Sequence, residues 1–169
     1  EDGVAEVRVR LEDRPEALSA FGAALEDLCK ELALMIVRDG EGASKLVTIR
    51  VRGAATEAQA DQAARTVANS NLVKTAFFGE DANWGRIIAA LGRSGAQFDQ
   101  HRVDIAFDDV FMVQHGLGQG GEVEGRATAV LKKPEFVVTI DLHAGEGRKD
   151  IYTCDFSLDY VKINADYRS

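Results

Sequence analysis

Apolar and polar residues alternate near the start of the chain. Val7, Val9 and Leu11 share one face and Arg8 and Arg10 the other, so Ala5 to Leu11 reads as a half-buried strand. Glu12-Asp13-Arg14-Pro15 ends it. Pro15 suits the first turn of a helix, where its missing N–H leaves no bond unmade. From Glu16 to Val37 the apolar positions Leu18, Phe21, Leu25, Leu28, Leu32, Met35 and Ile36 recur at spacings of three and four. That is the stripe of a long amphipathic helix. Gly40 and Gly42 stop it.

The period then returns to two. Val47, Ile49 and Val51 face one way and Thr48, Arg50 and Arg52 the other, a strand from Lys45 to Gly53. Thr56 and Gln59 have capping-box spacing and open an alanine-rich helix to about Asn69. Its inward positions, Ala60, Ala63, Ala64 and Val67, are small enough for close packing. Asn69-Ser70-Asn71 is a turn, and Leu72 to Phe78 reads as an apolar strand that encloses Lys74. Asp81 is the expected N-cap of a short helix with Ile87, Ile88 and Leu91 buried, closed by Gly92 and Gly95. Val103–Phe107 and Phe111–His115 form a strand pair around Asp108-Asp109. Glu135–His143 is a further strand with Phe136, Val138, Ile140 and Leu142 on one side. After a turn at Ala144–Arg148, Asp150 to Ile163 reads as extended, since Ile151, Thr153, Asp155, Ser157 and Asp159 alternate with Tyr152, Cys154, Phe156, Leu158 and Tyr160. About three helices and several strands joined by short turns make an α+β chain with largely antiparallel pairing.

Composition narrows the function classes. The 169 residues suffice for one sizeable core or two small lobes. The net charge is -8 with no basic block, which disfavours nucleic acid and anionic membrane as partners. No apolar run approaches the roughly 20 residues that span a bilayer. Cys29 and Cys154 lack metal-ligand spacing and are expected as buried free thiols in a reducing cytoplasm. His101, His115 and His143 are scattered, so no zinc site is expected. Glu1-Asp2-Gly3 is neither an initiator methionine nor a signal peptide, and the chain is expected to be a fragment or a processed product.

Gly116-Leu117-Gly118-Gln119-Gly120-Gly121 satisfies Gly-x-Gly-x-x-Gly, with Asp141 near the distance of a ribose carboxylate. Glu122 and Glu124 stand where a pyrophosphate would meet the helix and would repel it, so a flexible surface loop is the better reading. Three other stretches hold dense chemistry. Arg38-Asp39-Gly40-Glu41-Gly42-Ala43-Ser44-Lys45 is either a solvated turn or a rim that holds out the Glu41 carboxylate. Phe77 to Arg86 gathers Glu80, Asp81, Asn83, Trp84 and Arg86 at one helix entry, as a packed aromatic corner or as part of a site. Lys162 to Ser169 keeps hydrogen-bonding side chains to the last residue, where chain ends usually lose them. It is either a strand that completes a sheet or a terminus tucked into a site.

Together with Ala68-Asn69-Ser70 and Leu72-Val73-Lys74-Thr75, these blocks resemble the ornithine acetyltransferase family, the bifunctional glutamate N-acetyltransferases. The resemblance covers nearly the whole chain as a single region, 1–169, matching the C-terminal part of the family's β chain. It implies an α/β sandwich of stacked, largely antiparallel sheets flanked by helices. It implies an enzyme of arginine biosynthesis that cuts its own precursor before a threonine. That threonine, freed at the N-terminus of the β chain, accepts acetyl from N-acetylornithine and passes it to glutamate. Its own α-amine can act as the base. No catalytic residue is expected within this chain, because the nucleophile and the α-chain oxyanion hole would lie upstream of Glu1. Glu41, Asn164 and Ser169 match the family's substrate-binding positions. Ser44 and Ser169 stand where threonine is usual and keep the hydroxyl. No cofactor is implied. Acetyl-CoA is a donor for some members, and the usual assembly is a heterotetramer of two α and two β chains. The alternative is a module that binds an amino acid or a partner chain without turnover.

Overall fold

The computed structural model describes residues 14–166. The strand expected over Ala5–Leu11 and the terminal Ser169 lie outside the described residues. The chain divides after Met35 into two units. The described part of the first is α1 (Pro15–Arg38), whose last turn runs into the second. Glu16 in its first turn and Arg38 in its last match the helix dipole. Phe21, Leu25, Leu28 and Leu32 form the expected stripe and are exposed. Cys29 is exposed too, against the expectation of a buried thiol, because α1 has no buried residue.

The second unit is built on one sheet with strand order β4-β3-β2-β5-β1-β6. Its strands are β1 (Leu46–Ala54), β2 (Asp104–Phe107), β3 (Val110–Gln114), β4 (Leu117–Gly118), β5 (Glu135–Asp141) and β6 (Gly147–Cys154). Only β1 and β5 run parallel, and the other pairs are antiparallel. The α+β architecture expected from the sequence is the one observed. Alternation sets the register: Val47, Ile49 and Val51 pair with Phe136, Val138 and Ile140, and all six are buried. The opposite face carries Arg50 across from Asp150, which bind each other at 2.7 Å.

Three helices close the apolar face: α2 (Glu57–Ala68), α4 (Trp84–Gly92) and α5 (Gly121–Leu131). Ala60, Ala63 and Ala64 are fully buried, so the α2 backbone packs close to β1 and β6. Thr56 caps α2 by accepting from the Gln59 amide at 3.2 Å. The Gln59 side chain does not complete the box but accepts from the Gln97 amide.

Two expected strands are helices. Leu72–Phe78 lies in α3 (Asn71–Phe78). Val73, Ala76 and Phe77, at helical spacing, are buried, while Leu72 is 63% exposed. A short run this apolar fits a period of two or of 3.6, and periodicity alone does not separate them. Phe77 then meets Phe136 edge-on, centroids 5.5 Å apart, which seats α3 beside the sheet. The extended reading of Asp150–Ile163 holds only to the end of β6. Leu158 onward is α6 (Leu158–Asp166), begun when the Ser157 hydroxyl accepts from the Tyr160 amide at 3.1 Å. The described residues hold six helices, not about three.

The helical reading of α3 makes a contrast that a strand would not. Phe77→Ala should lower unfolding stability by about 3–5 kcal/mol, whereas Leu72→Ala should stay within about 0.5 kcal/mol of wild type. Urea denaturation of both variants measures it.

Candidate functional site

The turn after α1 is shaped by its glycines. The Ala43 amide bonds the Gly40 carbonyl at 2.9 Å, and Gly42 turns the chain at φ +66. A side chain at Gly42 would put its Cβ 2.5 Å from the Tyr160 nitrogen, so only glycine lets α6 come this close. The Ser157 hydroxyl donates to the Gly42 carbonyl at 2.6 Å while it caps α6. One side chain thereby starts the helix and ties it to the turn.

Asp155 fixes the other end of the turn. It is 3% exposed, and its carboxylate accepts from the Ser44 amide at 2.8 Å, the Ser44 hydroxyl at 2.5 Å and the Lys45 amide at 2.9 Å. A buried carboxylate is tolerable only when its oxygens are satisfied in this way. The Lys45 ammonium, 8% exposed, donates to the Leu131 carbonyl at 2.7 Å and lies 3.6 Å from Glu80. Glu80 reaches it from a left-handed backbone, φ 56, directly after α3. The first two of the blocks singled out in the sequence thus meet through Lys45.

The third block joins through Asn164. Its Nδ2 donates to Glu41 Oε2 at 3.2 Å and to the Tyr160 carbonyl at 2.9 Å, across 123 residues in the first case. Tyr160 is steadied by Phe156, whose ring stands edge-on at 4.7 Å. The two Nδ2 protons are then used. Among the described residues Glu41 Oε1 and Asn164 Oδ1 accept no hydrogen bond, and both residues are exposed. The pair offers one carboxylate oxygen and one amide oxygen, two acceptors and no spare donor. An ammonium group is the complementary ligand. Glu41 and Asn164, named from the sequence, are brought together, while Ser169 lies outside the described residues.

The Phe77–Arg86 corner is structural on its aromatic side. Asn83, not Asp81, caps α4: its Oδ1 accepts from the Arg86 amide at 3.1 Å, and its Nδ2 donates to Asp81 at 2.9 Å. Asp81 therefore orients the cap. Trp84 packs against the core, and Gly118 lies so near the indole that a Cβ there would be 3.0 Å from it. The glycine-rich segment expected as a flexible loop thus includes strand β4, pressed against Trp84. Glu122 and Glu124 do fall in the first turn of α5.

One cluster escaped the sequence reading. Asp104 Oδ2 lies 2.8 Å from His143 Nε2, and its Oδ1 accepts from the His115 amide at 2.7 Å. The two imidazoles are 6.4 Å apart. His115 and His143 are both at positive φ, 49 and 47, in turns that follow β3 and β5. The antiparallel pairing of β2 with both strands joins them, and nothing in their spacing announces it. Among the described residues no group of three or more His, Cys, Asp and Glu side chains is placed to hold a metal ion.

The model of a family described as the ArgJ family matches residues 3–169. The arginine biosynthesis bifunctional protein ArgJ of Desulfotalea psychrophila is 61% identical over 154 residues, 91% of this chain and 39% of that protein. The protein of the same name from Geobacter sulfurreducens is 56% identical over 159 residues, 94% of this chain and 40% of that one. The chain therefore spans about two fifths of the length of these curated relatives. The crystal structure of arginine biosynthesis bifunctional protein argJ from Bacillus halodurans superposes with a TM-score of 0.89 at 40% identity, covering 98% of this chain and 77% of that chain. No described helix is long and apolar enough to cross a membrane.

Two measurements test the site's construction. Asp155→Ala should cost about 2–4 kcal/mol and speed amide exchange at Ser44 and Lys45, since three bonds lose one acceptor. Burial pushes the Asp104 carboxyl up, but the His115 amide and the His143 ring outweigh it and hold the group below its ordinary 3.8. A carboxylate lowered by folding stabilises above its unfolded pKa and ceases to do so as pH falls through the folded value. Asp104→Asn should therefore be less stable than wild type at neutral pH, and the gap should close below about pH 4 in a series of thermal melts.

Proposed function

This chain belongs to the ArgJ family, and on that premise we propose that it is the C-terminal part of the β chain of a glutamate N-acetyltransferase of arginine biosynthesis. In this reading the whole protein moves acetyl from N-acetylornithine to glutamate, and Glu41, Asn164 and Ser169 help to hold the amino-acid substrate. The observation that carries it is the bond from Asn164 to Glu41, with one acceptor left open on each side chain.

The chemistry follows in two steps. A threonine at the start of the β chain, upstream of Glu1, attacks the acetyl carbonyl, and its α-amine takes the hydroxyl proton. The proton passes to the departing amine and ornithine leaves. The amine of glutamate then attacks the acyl-enzyme ester and restores the threonine hydroxyl. Two half-reactions on one nucleophile give ping-pong kinetics. The part of this chain is positional. Glu41 pairs with a substrate ammonium in a charge-assisted bond, and Asn164 both orients Glu41 and accepts from the same group. Use of acetyl-CoA and assembly into a heterotetramer of two α and two β chains belong to the same proposal and rest on the family resemblance.

An acetyl-exchange assay with N-acetylornithine and glutamate tests it on this chain alone and with its upstream segment restored. Exchange is expected only in the restored sample. There Glu41→Gln should raise KM for N-acetylornithine by about tenfold or more with a smaller change in kcat, the loss of one charge-assisted contact. Exchange in neither sample overturns the acetyltransferase reading and leaves a binding module.

A further inference from the structure

A cleft of about 660 Å³ lies between the start of α3 and the outer side of α4. Its polar walls are Asn69, Ser70, Asn71, Asn83, Arg86 and Arg93. No carboxylate lines it, in a chain whose net charge is -8. Among the described residues neither Arg86 nor Arg93 has an acidic partner within 4 Å. Arg86 is held in place by neutral groups instead. Its Nη1 donates to the Leu72 carbonyl at 2.9 Å and to the Thr75 hydroxyl at 3.3 Å, which leaves the rest of its fork unused.

The floor of the cleft is the N-terminus of α3. Ser70 is its N-cap residue, and its side chain does not cap. The first main-chain bond into the helix is from the Lys74 amide to the Ser70 carbonyl, so the amides of Asn71, Leu72 and Val73 have no main-chain acceptor; Val73 is fully buried, and those of Asn71 and Leu72 belong to residues that line the cleft. Ser70 is only 6% exposed, yet its hydroxyl has no partner among the described residues. Every fully buried side-chain polar atom among these residues has a partner. The unpartnered hydroxyl is therefore not sealed from solvent, and its residue lines the cleft. A serine at an N-cap normally spends its oxygen on the helix amides. Here oxygen and amides are both left for something else.

We propose that this cleft is a binding site for a phosphate group. Free amides at a positive helix end, a hydroxyl donor and two arginines without counter-ions are the donors that a tetrahedral oxyanion takes. The Asn69 and Asn71 side chains at the rim add donors without charge. The site is separate from the Glu41–Asn164 pair and does not depend on the acetyltransferase reading. The phosphate has two sources, free inorganic phosphate or the phosphate of a nucleotide-type cosubstrate, and the test separates them.

Inorganic phosphate is titrated into the full isotope-labelled chain, with chloride at matched ionic strength as control, while amide shifts are followed. Saturable shifts are expected at Asn71 and Leu72 and at the Arg93 side chain. Ser70→Ala and Arg93→Gln should each weaken binding by about tenfold, with the rest of the spectrum unchanged as the check on folding. A parallel titration with coenzyme A identifies the source: tighter binding with the same shifts points to a nucleotide-type phosphate, and equal or weaker binding to the free ion. Shifts that fail to saturate, or that persist unchanged in Arg93→Gln, overturn the proposal.

Discussion

The carboxylate of Asp155 is the interaction on which the candidate site depends. It sits just past the end of β6, is almost fully buried, and receives the amides of Ser44 and Lys45 together with the Ser44 hydroxyl. A charge in that position needs all its oxygens bonded, and a turn rich in glycine needs an external anchor to hold one shape. Each requirement is met by the other. Ser157, two residues on, repeats the device on a smaller scale, joining Gly42 to the first turn of α6. With both in place, Glu41 and Asn164 meet although the chain between them crosses the whole sheet.

Lys45 extends that anchor into the core side of the molecule. Its ammonium reaches the last carbonyl of α5 and faces Glu80 at the end of α3. Cations are favoured at helix C-termini, and Lys45 fills that place at the end of α5. The positive φ of Glu80 closes α3: its amide bonds the Phe77 carbonyl at 3.2 Å and the Asp81 amide bonds the Ala76 carbonyl at 3.0 Å, the main-chain pair of a helix C-cap. The site is therefore mounted on the ends of β6, α3 and α5, while its two open acceptors stay at the surface.

Much of this was legible in the sequence, and the reasons differ by element. The strands β1 and β5 showed clear alternation because only one of their faces is apolar, and the observed register follows it. The small inward residues of α2 foretold its close seat. The α3 segment failed because Leu72, Val73, Ala76, Phe77 and Phe78 are apolar whichever period is tried, and exposure of Leu72 is decided by tertiary packing. The start of α6 failed because alternation ran on by chance through Leu158 and Tyr160. Ser157 followed by Asp159 in the first turn was the missed sign of a helix start. Glu41 and Asn164 were named through family resemblance, and their pairing was invisible in spacing. The Asp104–His143 pair was beyond sequence reading altogether, since it exists only through the order of strands.

The claim that Glu41 and Asn164 act as one substrate-holding unit is tested most directly by a double-mutant cycle. Ornithine affinity is measured in the full-length protein for Glu41→Gln, Asn164→Ala and the double variant. A shared ligand group predicts a coupling above about 1 kcal/mol, with the double variant little worse than Glu41→Gln alone. Losses that add to within about 0.3 kcal/mol would show two independent residues and contradict the account.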